Sequence, residues 1–108
     1  MYRGTTPTIV FRIGTNLKLE TIKELWITFK TKLKEKTYTL EEVGLNLEDN
    51  TVELFMSQED TLYFNHGNVS VQIRFLDKDD KAYATPIREI KLNDVLKEGV
   101  ISGQIVTD

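Results

Sequence analysis

Apolar residues recur at every second position in four separate stretches, and this alternation constrains the fold more than any other feature of the chain. The stretches are residues 8–13, 25–32, 51–56 and 69–75. In the last one, Val69, Val71, Ile73 and Phe75 alternate with Ser, Gln and Arg. Because successive side chains of a β-strand point to opposite faces, each stretch is predicted to be a half-buried strand.

Shorter segments with weaker alternation fill the gaps between these strands. Residues 17–19, 36–39, 83–85 and 87–92 are predicted as further strands, and residues 77–81 as a hairpin connection. Pro86 cannot donate to a ladder, so the last strand should begin after it or lie at a sheet edge. Many short strands separated by turns predict an all-β fold, an immunoglobulin-like antiparallel β-sandwich.

Three segments have the residues that begin a helix: 39–42, 57–60 and 93–99. The first two place a hydroxyl at the cap position and an acid three residues later, as in a capping box. The third runs from a capping Asn to a terminating Gly. All are too short for long helices, so we expect single helical turns between strands.

The length of 108 residues and the apolar fraction of 40% predict one domain over residues 1–108. Residues 1–7 and 99–108 fall outside the strand pattern and are predicted to be arms that order on a partner. The chain has no cysteine, which excludes disulfides and thiolate zinc sites. It has neither a signal-peptide pattern nor 18 consecutive apolar residues, so we expect a soluble protein that is not inserted into a membrane.

Charge is distributed unevenly along the chain. Residues 1–36 contain eight Lys or Arg and three acids, a net charge of +5, which leaves −8 on the remainder. The lysines are spread out and the overall charge is −3, so nucleic acid is not the expected partner. If the halves stayed apart in space, they would favour head-to-tail homo-oligomers; if folding mixes them, the asymmetry cancels.

No motif predicts catalysis, a metal site or a cofactor. His66, the only histidine, lies in a polar turn without a recognisable nucleophile, which is typical of a surface residue. The acidic run from Asp77 fails as a calcium loop, because Ala82 occupies the glycine position and Arg88 the position of the bidentate Glu. Glycines never form a nucleotide-binding pattern. We expect no enzyme, no metal and no cofactor.

The same alternation places four large apolar residues on strand faces that should be polar: Trp26, Phe55, Val10 and Leu76. Either a bulge or loop covers them, or they form a contact surface for a partner. Tryptophan is a favoured anchor at protein interfaces. These four residues are the candidate interaction surface.

Four segments together resemble small proteins encoded in the tail and baseplate regions of phages and prophages of Gram-positive bacteria: MYRGTTPTIVFRI (1–13), KELWITFK (23–30), SQEDTLYF with VSVQIRF (57–64 and 69–75), and DVLKEGVI (94–101). The chain is also similar to the immunoglobulin-like N-terminal domain of baseplate upper proteins. The resemblance implies a structural or assembly protein that contacts other phage proteins, in the host cytoplasm during assembly and then in the virion. It implies no functional residues.

Two other function classes stay open. A carbohydrate-binding module would use aromatic residues on a sandwich face, and its candidates are Trp26, Tyr63 and Tyr83. A small hydrolase would need a carboxylate pair, which spacing alone cannot identify.

Overall fold

The computed structural model describes residues 1–14, 17–97 and 99–101, which form two antiparallel sheets around one core. The elements are β1 (Thr8–Arg12), β2 (Ile22–Lys30), β3 (Glu35–Thr39), β4 (Gly44–Asn46), β5 (Thr51–Phe55), α1 (Gln58–Tyr63), β6 (Gly67–Asp77), β7 (Ala82–Ala84) and β8 (Arg88–Leu92), with 3₁₀ turns at Leu19–Thr21 and Leu40–Glu42. One sheet has the order β1-β5-β4 and the other β3-β2-β6-β7, with β8 also paired to β6.

The predicted all-β antiparallel sandwich is confirmed. The fold shares with immunoglobulin domains its two packed antiparallel sheets, and it has single helical turns between strands. The strand order differs from that of immunoglobulin domains. Strand β2 pairs with both β3 and β6, so the second and third strands share a sheet. In immunoglobulin constant domains those two strands lie in opposite sheets.

Alternation decides which side chains form the core. The buried residues of β6 are every second one, from Val69 to Asp77. In β5, Val52 and Leu54 are buried while Phe55 is exposed. Each fully buried aliphatic or aromatic side chain stabilises the fold by roughly 1.5–3 kcal/mol. The interior is therefore built from one face of each sheet.

The pairing of β2 with β6 contains an irregularity between Ile22 and Glu24. A bulge of this kind changes which face the following residues present. As a result Ile22 and Leu25, three positions apart, are both buried. After the bulge the alternation is regular again, and it places Trp26 on the outer face of the sheet.

Helix α1 begins as the sequence predicts. The Ser57 side chain accepts a hydrogen bond from the Asp60 backbone N–H at 3.1 Å, and Asp60 Oδ2 accepts from the Ser57 N–H at 3.2 Å. Thr61 is completely buried, and its hydroxyl donates to the carbonyl of Thr5 at 2.8 Å. Among the described residues no helix has the length and apolarity needed to span a bilayer.

In the first half of the chain one predicted strand is absent and one observed strand was not predicted. Residues 17–19 are not a strand, because the side chain of Asn50 binds their backbone: its Nδ2 donates to the Leu17 carbonyl at 2.9 Å and its Oδ1 accepts from the Leu19 N–H at 3.0 Å. Strand β4 was not predicted. It pairs with β5 through only three residues and exposes Leu45, so it lacks a clean alternation.

The helix predicted at 93–99 is absent from the described residues 93–97. Asn93 instead forms a parallel bridge with Tyr2, and its N–H donates to the carbonyl of Met1 at 2.6 Å. The Asn93 carbonyl, which would accept the first bond of a helix, accepts instead from the Arg3 N–H at 2.8 Å. The predicted arm 1–7 is consequently hydrogen-bonded to the body of the fold. Glu98 and residues 102–108, which belong to the predicted helix and the second arm, lie outside the described residues.

Candidate functional site

The outer face of the larger sheet presents Trp26, which is 37% exposed. Its neighbours Leu25 and Ile27 are fully buried, so the indole points away from the core. In the ladder Trp26 lies directly opposite Thr39 on β3 and Arg74 on β6. Trp26 and Arg74 therefore project from the same outer face of the sheet, at directly opposed positions of two adjacent strands.

A shallow groove of about 490 Å³ runs along this face, lined by Trp26, Thr28, Thr37, Arg74, Phe75, Leu76 and Ala82. Its floor is partly apolar. The hydroxyls of Thr28 and Thr37 lie 3.0 Å apart across the ladder and bond each other. Within the described residues the side chain of Arg74 makes no hydrogen bond or ion pair, so its fork of donors is available to a ligand.

The other two predicted surface residues lie on the opposite side of the molecule. Phe55 is 69% exposed and Val10 is 50% exposed, and both are on the outer face of the β1-β5-β4 sheet. Phe55 stands opposite Thr8 in the ladder. The structure thus divides the four predicted residues into two pairs, Trp26 with Leu76 and Val10 with Phe55. Leu76 is only partly exposed.

The aromatic residues of the carbohydrate-binding alternative do not meet on one face. Tyr83 stands opposite Phe75 on the inner side of the sheet, and its hydroxyl donates to Asp77 Oδ2 at 3.2 Å. The ring of Tyr63 lies beneath two ammonium groups, those of Lys34 at 5.1 Å and Lys36 at 5.9 Å. Only Trp26 of the three lines the groove.

His66 lies on the surface near a carboxylate that the sequence did not identify. Its Nδ1 is 3.6 Å from Asp94 Oδ2, and its side chain is 68% exposed. Arg3 donates to Asp94 Oδ1 at 2.8 Å, and this bond holds the pKa of Asp94 below its usual value. His66 forms no hydrogen bond to a hydroxyl group in the described part of the chain. No local pattern could have revealed this cluster, because its members come from three distant segments.

The acidic run at 77–81 forms the β6–β7 turn. Asp77 Oδ1 accepts from the N–H groups of Lys81 at 2.9 Å and Asp79 at 2.8 Å. The bond from Lys81 is the main reason that the pKa of Asp77 is lowered. The carboxylate of Asp77 therefore serves to hold the backbone of this turn. No group of three metal-ligating side chains occurs in residues 1–14, 17–97 and 99–101.

A cluster of lysine and aromatic side chains attaches α1 to β3. Lys36 pairs with Asp60 at 3.1 Å, and its ammonium lies 5.4 Å from the centre of the Tyr38 ring. Burial opposes ionisation of Asp60, but its bonds with Lys36 and Ser57 lower its pKa overall. Tyr38 is buried, and its hydroxyl lies close to the carboxylate of Asp60 without forming a hydrogen bond of regular geometry. Burial and then the charge of Asp60 raise the pKa of this phenol.

No protein-family model matches the chain, and neither a curated protein nor a solved structure matches it.

Proposed function

We propose that this chain is a non-catalytic binding protein whose contact surface is the Trp26 face, the outer groove formed by Trp26, Arg74, Leu76 and Ala82. The observation that carries the proposal is the position of Trp26 directly opposite Arg74, which has no ion pair within the described residues. Trp and Arg are the residue types that most often dominate binding energy in protein interfaces.

The chemistry of this face favours a protein partner. Arg74 offers a planar pair of donors that fits a carboxylate, and Trp26 and Leu76 offer apolar area beside it. A complementary partner surface would present an acidic side chain next to an apolar one. A carbohydrate would be expected to stack on several aromatic rings, yet Tyr63 and Tyr83 lie away from the groove.

The resemblance of residues 1–13, 23–30, 57–64, 69–75 and 94–101 to phage tail- and baseplate-region proteins gives the proposal its setting. In this proposal the partner is another structural or assembly protein of the tail or baseplate. The chain would meet it in the host cytoplasm during assembly and would then remain in the virion.

Co-expression with the products of the genes that flank its own tests the proposal. Size-exclusion chromatography with light scattering should show a stable complex with one of them, lost in Trp26→Ala. Phe55→Ala is the matched control, because Phe55 is an exposed aromatic residue on the opposite sheet. This control should still bind.

Three outcomes would contradict the proposal. The first is a complex that survives Trp26→Ala but is lost in Phe55→Ala, which would assign the contact to the other face. The second is a self-associated chain whose assembly depends on Trp26, which would make a second copy the occupant. The third is Trp26-dependent binding on a glycan array without a protein complex.

A further inference from the structure

A second cavity, of about 280 Å³, lies at one end of the sandwich, away from the Trp26 face. It forms between the β2–β3 turn and the segment that joins α1 to β6. Its lining is Thr31, Lys32, Leu33, Lys34, Asn65, His66 and Asn68. Six of these seven side chains are polar or cationic, and none is acidic.

Positive charge at this cavity is not compensated nearby. Residues 30–36 carry four lysines, and two of them have acidic partners: Lys30 with Glu35 at 3.9 Å and Lys36 with Asp60 at 3.1 Å. The two that line the cavity, Lys32 and Lys34, have no acidic partner within the described residues. Of these four lysines, folding therefore gives two an acidic partner and leaves the two at the cavity without one.

The turn that carries these lysines is held in place. Thr31 Oγ1 accepts from the Lys34 N–H at 3.1 Å, and the Thr31 N–H donates to the Lys34 carbonyl at 2.8 Å. The Lys34 ammonium donates to the Tyr63 carbonyl at 2.6 Å, which fixes it beside the end of α1. An ammonium has three donors, so two of them stay available. The wall of the cavity formed by the β2–β3 turn is therefore preorganised for binding.

The opposite wall supplies further donors. The side chains of Asn65 and Asn68 make no hydrogen bonds in the described part of the chain. The Nδ1 of His66 lies 3.6 Å from Asp94 Oδ2, and the charge of Asp94 is offset by its ion pair with Arg3. The two amides thus line the same small space as the two lysines.

We propose that this cavity binds a phosphate group. Its lysine and amide donors come from two separate chain segments, 31–34 and 65–68, which suits a tetrahedral anion with oxygens on all sides. Lysine binds phosphate as a point charge, whereas recognition of a planar carboxylate favours the fork of an arginine. The cavity volume of about 280 Å³ is just below the usual range for small-molecule sites. The cavity therefore accommodates a single phosphate group rather than a large ligand.

Titration of the ¹⁵N-labelled chain with sodium phosphate at constant ionic strength tests this site by NMR. Saturable shifts should be confined to the amides of residues 31–34 and 65–68. Lys32→Gln should weaken binding about tenfold, the loss expected for one charge-assisted hydrogen bond. Lys32 is exposed and has no partner to lose, so this variant should fold normally.

Lys23→Gln is the matched control, since Lys23 lies at the other end of β2 and pairs with Asp80. It removes the same charge and should leave phosphate binding unchanged. Shifts that do not saturate, or equal weakening by both variants, would overturn the site. Glucuronate binding as tight as phosphate binding would overturn the assignment to phosphate.

Discussion

Trp26 and Phe55 point away from the core on opposite outer faces of the sandwich. Each follows a buried leucine, Leu25 in one case and Leu54 in the other. Alternation predicts that both are directed outward, but it does not specify which sheet a strand joins. That assignment depends on pairings between distant segments, such as β2 with β6 and β1 with β5. The single apolar patch inferred from the sequence is therefore two separate patches.

The contrast between adjacent residues of β5 gives a first prediction. Leu54→Ala should lower the free energy of unfolding by about 3 kcal/mol, because it leaves a cavity in the core. Phe55→Ala should change it by less than about 1 kcal/mol, because that side chain is 69% exposed. Urea unfolding followed by circular dichroism measures both. Equal losses would mean that Phe55 is covered.

Asn50 is predicted to stabilise the loop that precedes β2. Asn50→Asp replaces the amide donor by a carboxylate, which would face the carbonyls of Leu17 and Ile13. We expect a loss of about 2 kcal/mol in unfolding free energy at neutral pH. Asn65→Asp, at an exposed position whose side chain makes no bonds in the described residues, should cost less than about 0.5 kcal/mol. A loss for Asn50→Asp no larger than for this control would contradict the role assigned to Asn50.

Tyr38→Phe should not destabilise the protein. The change removes a buried hydroxyl that lacks a partner and keeps the edge-on contact with Phe29, whose ring centre is 5.7 Å away. Loss of an unsatisfied buried polar group is neutral or favourable by up to about 1 kcal/mol. Thermal and urea unfolding would show whether the free energy of unfolding rises or falls in Tyr38→Phe. A marked loss of stability would indicate that the hydroxyl does have a partner.

Asp77 should contribute to the loss of folding stability as the pH is lowered. Its pKa is lowered in the folded state, mainly by the Lys81 N–H. Its contribution is therefore complete above the unfolded-state pKa of about 3.9 and is lost as the pH falls through the folded-state value. Asp77→Asn should be less stable than the wild type at pH 5, and the difference should shrink at pH 3. Urea midpoints at the two pH values test this, and a constant difference would exclude the linkage.

Local patterns were sufficient where a residue's environment depends on its immediate neighbours. The main strands and the capping box of Ser57 are examples, because alternation and caps act within a few residues. Local patterns failed where a distant side chain takes over the backbone, as Asn50 does at Leu17 and Leu19. They also failed for the contact of His66 with Asp94, since the two residues are 28 positions apart and meet only through the fold.

Trp26 is the only tryptophan in the chain, so its fluorescence reports on the proposed contact surface without a label. The most direct test is the acrylamide quenching constant of Trp26 in the free chain and in the complex with its partner. The proposed function predicts ready quenching in the free chain and a severalfold smaller constant in the complex, where a partner covers the indole. A complex that forms while the quenching constant stays unchanged would contradict the assignment of the Trp26 face as the contact surface.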